Sequence, residues 1–177
     1  MSYNPGNQGL LKNNFNSTTM KITLLILLTS LCSVSLAGQG TIIQPDGKIN
    51  TALEDQLQDG RYELVMFWAT YCHTCKKDFV ALGEFIEENP DIPLTLVGVV
   101  VDGVDEISKT EELVEKNDLN YAHILTDYDV ANEFHMQVTD RQLMGTPSYI
   151  LYDKENKLVG VNPNSIDIEA LELFFSD

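Results

Sequence analysis

Residues 65–79, VMFWATYCHTCKKDF, decide how the rest of the chain is read. Leu64 to Trp68 is an apolar run of strand length, and from Cys72 onward the spacing is helical, so a buried strand gives way to a helix that begins at the first cysteine. A C-x-x-C at such a junction points to redox chemistry. Cys72 stands where free backbone N–H groups and the helix dipole favour an anion. That lowers a thiol's pKa, and the thiolate is the form that attacks disulfides. Cys75 lies on the same helical face about one turn on, within reach to resolve a mixed disulfide. Half of a zinc site is the competing reading, but zinc needs four ligands, and the chain has no second C-x-x-C and no H-x-x-x-H. The other candidate ligands are Cys32, His73, His123 and His135.

Before this segment, residues 1–19 are rich in Asn, Gly, Ser and Thr and carry little that builds a core, so a disordered extension is expected. Met20-Lys21 then opens an uncharged apolar run, Ile22 to Ala37, which ends in the small-x-small site Ser35-Leu36-Ala37. This is the pattern of a secretory signal peptide spanning 20–37, cleaved near Ala37, with Met20 as a natural initiator. A retained membrane anchor is the alternative, although the run falls short of the ~20 residues a spanning helix needs. Leu31 stands where a lipid-attachment motif at Cys32 wants a small residue. Cleavage removes Cys32 and leaves two cysteines, both in the motif.

Residues 38–177 have the length of one domain. All 27 acidic residues of the chain fall there, against nine of the 11 basic ones. Such a surface argues against nucleic acid and anionic membrane as partners and keeps an exported protein soluble. Thr41 to Gln44 and Lys48 to Asn50 flank the turn signal Pro45-Asp46-Gly47, which predicts an N-terminal β-hairpin. A short helix over Thr51 to Gln58 follows, with Gly60 beyond it. Tyr62 to Trp68 reads as a central strand buried on both faces. The helix from Cys72 runs to Glu88 and stops at Asn89-Pro90, with Phe79, Leu82, Phe85 and Ile86 as its core face. Leu94 to Val101 is a second buried strand, and Ser108 to Asn117 a helix with Ser108 and Glu111 as a capping box. Tyr121 to Leu125 adds a third parallel strand, and Tyr128 to Met136 a helix. Ser148 to Asp153 and Lys157 to Val161 form an antiparallel hairpin, and Ile166 to Phe175 is the last helix.

The stretch Phe67 to Phe79 resembles the active-site segment of the thioredoxin superfamily. It is most similar to the exported TlpA/ResA-like branch, whose pattern runs F-W-x-x-W-C-x-x-C-[KR]-x-[ED]-x. Gly145-Thr146-Pro147 matches that family's cis-proline loop, and the resemblance covers residues 40–177. Tyrosine replaces the usual tryptophan before Cys72, and His73-Thr74 is not the Gly-Pro of thioredoxin itself. The resemblance implies an α/β, thioredoxin-like fold, a mixed central sheet flanked by helices, here with the N-terminal β-hairpin. It also implies a thiol:disulfide oxidoreductase in which Cys72 and Cys75 are catalytic and form the redox-active disulfide.

Asp78 matches an acidic residue this family places near its thiols, where it can take the proton of Cys75; the alternative is a solvated helix-surface acid. Thioredoxin's own buried acid precedes the motif, and Met66 occupies that position. His73, as an imidazolium, would stabilise the Cys72 thiolate; as a neutral exposed ring it does little. Lys76 and Lys77 add local positive charge. Thr146 is expected to present its backbone beside the thiols, so that Thr146 and Pro147 pair with an extended substrate strand. Trp68 and Tyr71 are expected to form an apolar rim around the motif. His123 reads as a strand residue and His135 as a helix-surface residue. Residues 137–144 lengthen the approach to the cis-proline and either shape partner choice or form a longer turn.

With the signal-peptide pattern at 20–37, the resemblance implies a periplasmic or otherwise exported reductase of protein disulfides, or one anchored in the membrane and facing the periplasm, that contributes to cell redox homeostasis. It also implies disulfide-bearing or dithiol exported proteins and a membrane thiol electron donor as partners. No nicotinamide, flavin or metal is required. Two rivals stand beside it. An oxidase or isomerase shares the chemistry with opposite poise, but no inserted helical domain of the DsbA kind fits between Lys76 and Gly145, and residues 38–60 are too few for a DsbC-like dimerisation domain. A copper-handling protein would use Cys72, Cys75 and a histidine as soft ligands. Gln142-Leu143-Met144-Gly145-Thr146-Pro147 lacks the Gly-Val-x-Gly-x-Pro-Glu pattern of cytochrome c maturation reductases.

Overall fold

The computed structural model describes residues 40–44, 49–58 and 60–176. The extension at 1–19, the signal segment at 20–37 with Cys32, and the turn at 45–47 lie outside them. Six strands form one sheet: β1 (Ile42–Ile43), β2 (Tyr62–Trp68), β3 (Leu94–Val100), β4 (Ala122–Leu125), β5 (Ser148–Tyr152) and β6 (Leu158–Asn162), in the order β1-β4-β3-β2-β5-β6. The pairs β1–β4, β4–β3 and β3–β2 are parallel, and β2–β5 and β5–β6 antiparallel. The helices are α1 (Ile49–Glu54), α2 (His73–Glu88), α3 (Ile107–Lys116), α4 (Tyr128–Thr139) and α5 (Ile168–Ser176). This is the expected mixed α/β sheet with helices on both faces. Among the described residues no helix is long and apolar enough to cross a membrane.

β2 is the axis of the sheet because its side chains are apolar on both faces, as a strand flanked by helices on either side requires. One face carries Trp68, which meets Phe79 of α2 edge-on at 5.1 Å. The other carries Phe67, which meets Phe134 and His135 of α4 at 6.2 and 5.4 Å. α5 joins the α2 side: Phe175 lies 6.2 Å from Phe85 and 4.9 Å from Tyr62. Val65, Phe67, Trp68, Val99, Val100, Ile124 and Ile150 are fully buried. At roughly 1.5–3 kcal/mol per large apolar side chain, this layer supplies the main drive to fold.

The hairpin expected at the N-terminus does not form. β1 instead adds to the sheet edge in parallel with β4, pairing Ile42 with His123 and Ile43 with Ile124. Ile49 and Asn50, expected as the second arm, open α1. Ile49, Ala52 and Leu53 are all buried, and their 3,4 spacing makes one helical face rather than a strand's alternation. The capping box also fails: α3 starts at Ile107 after a 3-10 turn over Val104–Glu106, so Ser108 lies inside the helix. Gly60 has φ +82° and donates its N–H to the Lys154 carbonyl at 3.0 Å, so the left-handed turn joins α1 to the β5–β6 connection rather than ending a helix.

Glu63 sits in this apolar strand fully buried. One carboxylate oxygen accepts the Gln58 N–H at 3.2 Å and the other has no partner. Burial raises its pKa from 4.5 to about 7, against the smaller opposing effects of the Gln58 hydrogen bond and the Arg61 charge. A carboxyl that holds its proton more tightly when folded contributes stability in full below pH 4.5 and loses that contribution as pH rises through 7. Glu63→Gln keeps an acceptor for Gln58 and removes the titration. In thermal melts, its Tm minus that of the wild type is therefore expected to be larger at pH 8 than at pH 5. A pH-independent difference would show that the carboxyl does not titrate in this range.

Candidate active site

The site begins where β2 ends. Trp68 O accepts the Val101 N–H at 3.0 Å, closing the strand against β3, and Ala69 O then accepts the Cys72 N–H at 3.0 Å, turning the chain into α2. Thr70 N–H donates to Asp102 Oδ2 at 2.6 Å, and Asp102 is bridged to Asp127 at the exits of β3 and β4. The turn that delivers Cys72 is thus held from two neighbouring strands. Asp102 was not among the sequence candidates; a lone aspartate after an apolar strand gives no signal of its own.

Cys72 is the N-cap of α2, and its Sγ accepts the Cys75 N–H at 3.1 Å. Cys72 and Cys75 are joined in a disulfide, with Cα atoms 5.3 Å apart. Cys72 is 7% exposed and Cys75 0%, so of the two residues only the first meets solvent. Sulfur at a helix N-terminus is where the backbone dipoles favour the thiolate.

Register brings the second loop to the same end of the sheet. Phe67 pairs with Ser148, which sets Pro147 level with Trp68, four residues before Cys72. The Thr146–Pro147 peptide bond is cis. Pro147 is buried and Thr146 half-buried. The approach to this loop is pinned to α4: Tyr128 Oη donates to Leu143 O, Leu143 N–H donates to Asn132 Oδ1 at 2.8 Å, and His135 Nδ1 donates to Arg141 O at 2.7 Å. Residues 140–143 are therefore a tethered segment, after which Met144 projects into solvent, 79% exposed. Tyr71 is also exposed, whereas Trp68 is fully buried, so Trp68 supports the motif from beneath and does not belong to an apolar rim.

Asp78 is neither solvated nor free. It is buried, with Oδ2 accepting from Tyr149 Oη at 2.6 Å and the Ile166 N–H at 3.0 Å, and Oδ1 accepting from Ser165 Oγ at 2.5 Å. These bonds tie α2 to the start of β5 and to the segment that leads into α5. Burial, and then the bond to Asp78, push the Tyr149 phenol well above the ordinary tyrosine range. His73 is exposed, its Nδ1 3.4 Å from Tyr71 O. Lys76 is half-buried and Lys77 exposed. His135, expected on a helix surface, is buried because α4 turns it toward Phe67 and the Arg141 carbonyl. His123 is a fully buried strand residue whose pKa is lowered to about 4 by burial. Among the described residues no three His, Cys, Asp or Glu side chains are grouped to hold a metal ion. An apolar cavity of about 210 Å3 between β5, β6 and α5, lined by Leu151, Val161, Leu171 and Phe174, includes no residue of the motif.

The AhpC/TSA family model matches residues 41–161, more than half of the chain. Among solved structures, the thioredoxin domain of a thiol-disulfide oxidoreductase from Bacteroides vulgatus is 26% identical, with 69% of this chain and 83% of that one covered and a TM-score of 0.54. A DsbF homologue from Corynebacterium diphtheriae (20% identity, 70% and 74% covered, TM-score 0.55) and StoA from Bacillus subtilis (19%, 67% and 84%, TM-score 0.51) share the fold. No curated protein matches the sequence. The C-x-x-C disulfide at a strand-to-helix junction, the thioredoxin-like sheet and the family match lead to one assignment: the chain belongs to the AhpC/TSA family, as a redox enzyme of the thiol–disulfide type.

Proposed function

We propose that the protein is an exported thiol:disulfide oxidoreductase that reduces protein disulfides, with Cys72 as nucleophile and Cys75 as resolving thiol. The carrying observation is the asymmetry of the pair: a slightly exposed sulfur at the helix N-cap beside a fully buried one. In the dithiol form, the Cys72 thiolate attacks one sulfur of a substrate disulfide. An S–S bond forms to Cys72 as the substrate bond breaks, and the second substrate sulfur leaves as a thiolate and takes a proton. Deprotonated Cys75 then attacks Cys72 Sγ. The substrate's remaining sulfur leaves and is protonated, and the enzyme is left as the Cys72–Cys75 disulfide. Two electrons have passed to the substrate, and a membrane dithiol donor supplies two more by the same exchange in reverse, its own thiols ending as a disulfide.

The Thr146 backbone and Pro147 are the proposed seat for an extended substrate segment, with Tyr71 as its apolar neighbour. Export rests on the pattern of residues 20–37, with 38–177 as the exported domain. The direction of electron flow is tested by equilibrating the protein with glutathione or dithiothreitol. A potential near roughly −270 mV, thioredoxin's value, is expected for a reductase; one near about −120 mV, that of DsbA, would make the protein an oxidant.

A further inference from the structure

Directly beneath the site, two buried polar atoms stand without partners: Trp68 Nε1 and His123 Nδ1. Each buried polar group left unmade is a sizeable penalty, and native cores rarely carry two side by side. Gly98 explains how they meet. It lies in β3 between Met66 of β2 and His123 of β4. A Cβ added to Gly98 would fall 2.3 Å from His123 Nδ1 and 2.8 Å from Trp68 Nε1, so both rings use the space that the missing side chain leaves. The two nitrogens therefore lie within roughly 5 Å of one another without bonding directly, a span one bridging water closes. The ring planes meet at 79° with centroids 5.6 Å apart.

The chemistry of the two atoms is complementary. An indole N–H only donates. His123 Nε2 is 3.3 Å from the Leu119 carbonyl, an acceptor, which places the imidazole proton on Nε2 and leaves a lone pair on Nδ1. Burial keeps the ring neutral at pH 7.

We propose that His123 is a positioning residue for the redox pair: one water over Gly98 accepts the Trp68 indole N–H and donates to His123 Nδ1, and so fixes the strand end from which the Cys72 turn springs. The coupling to chemistry runs through Trp68, whose carbonyl is bonded to Val101 N–H and whose ring abuts Phe79, one turn after Cys75. This inference rests on the redox reading of Cys72 and Cys75.

Trp68 is the only tryptophan of the chain, so 15N-labelled full-length protein gives one indole N–H signal. Long-range 1H–15N correlations are expected to show His123 protonated on Nε2 and bare on Nδ1; a proton on Nδ1 overturns the proposal without any variant. His123→Leu is expected to displace the indole signal and speed its solvent exchange at least tenfold. It should also change the equilibrium constant of the Cys72/Cys75 pair with glutathione several-fold. His123→Asn, which puts an amide oxygen near the position of Nδ1, is expected to restore both. An unmoved indole signal in His123→Leu removes the pairing, and a moved signal with an unchanged equilibrium constant removes the positioning role. Failure of the wild-type pair to exchange with glutathione at all would instead sink the redox reading, leaving the tautomer result standing.

Discussion

Cys72→Ser is expected to abolish disulfide exchange, with a loss on the order of 10³-fold or more, because a serine hydroxyl cannot form or resolve the mixed disulfide. Cys75→Ser is expected to behave differently. The exposed sulfur still attacks, but no second thiol can displace the partner, so a covalent Cys72–substrate adduct accumulates and is released by dithiothreitol. The measurement is insulin reduction for rate, together with non-reducing electrophoresis for the adduct. The asymmetry is the test: equal behaviour of the two variants would contradict the division of roles drawn from 7% and 0% exposure. Substantial activity remaining in Cys72→Ser would remove the mechanism outright.

Asp78→Asn is expected to cost about 2–3 kcal/mol of stability, since an amide nitrogen replaces one of two oxygens that together receive three donors. For a domain of this size, that lowers Tm by roughly 10 °C. Ser165→Ala removes one donor and leaves the carboxylate two, so about 1 kcal/mol is expected. Denaturant melts at pH 7 check both values. The same Asp78 variant separates two roles. If exchange keeps its wild-type pH profile while stability falls, the carboxylate is a clasp between α2, β5 and the start of α5. A displaced profile would assign it the Cys75 proton as well.

How much was legible in the sequence follows from the range over which each feature is determined. The β2–α2 junction is local: an apolar run, a C-x-x-C and a helical period within fifteen residues suffice, and the structure starts α2 one residue after Cys72. Leu94 to Val100 and Ser148 to Tyr152 were equally clear, because strands covered on both faces carry little but apolar side chains. The short helix expected over Thr51 to Gln58 is found as α1, but shifted to Ile49–Glu54, because Pro45-Asp46-Gly47 is a strong turn signal that draws Ile49 and Asn50 into a hairpin arm while a six-residue helix shows barely one repeat of its period. His135 reads as a surface residue because a lone histidine in a helix is ordinarily solvated; its partner, the Arg141 carbonyl, is a backbone atom and leaves no mark on composition. Glu63 was absorbed into an apolar strand as though it were neutral, and its raised pKa makes that description closer than its formula suggests. The partners of Asp78 lie 71 to 88 positions away, and no pattern in one sequence links them.

That separation governs the order in which the molecule can be completed. A ribosome delivers Cys72, Cys75 and Asp78 early, yet Ser165 and Ile166 stand 87 and 88 positions after Asp78 and emerge late. Until then Asp78 has Tyr149 alone of its three donors, and α5 has not closed over Tyr62 and Phe85 on the α2 side of the sheet. A chain cut before Ser165 is therefore expected to keep Cys72, Cys75 and the cis-proline loop yet lose two of the three donors to Asp78 together with α5, so that the thiols sit on a loosened helix.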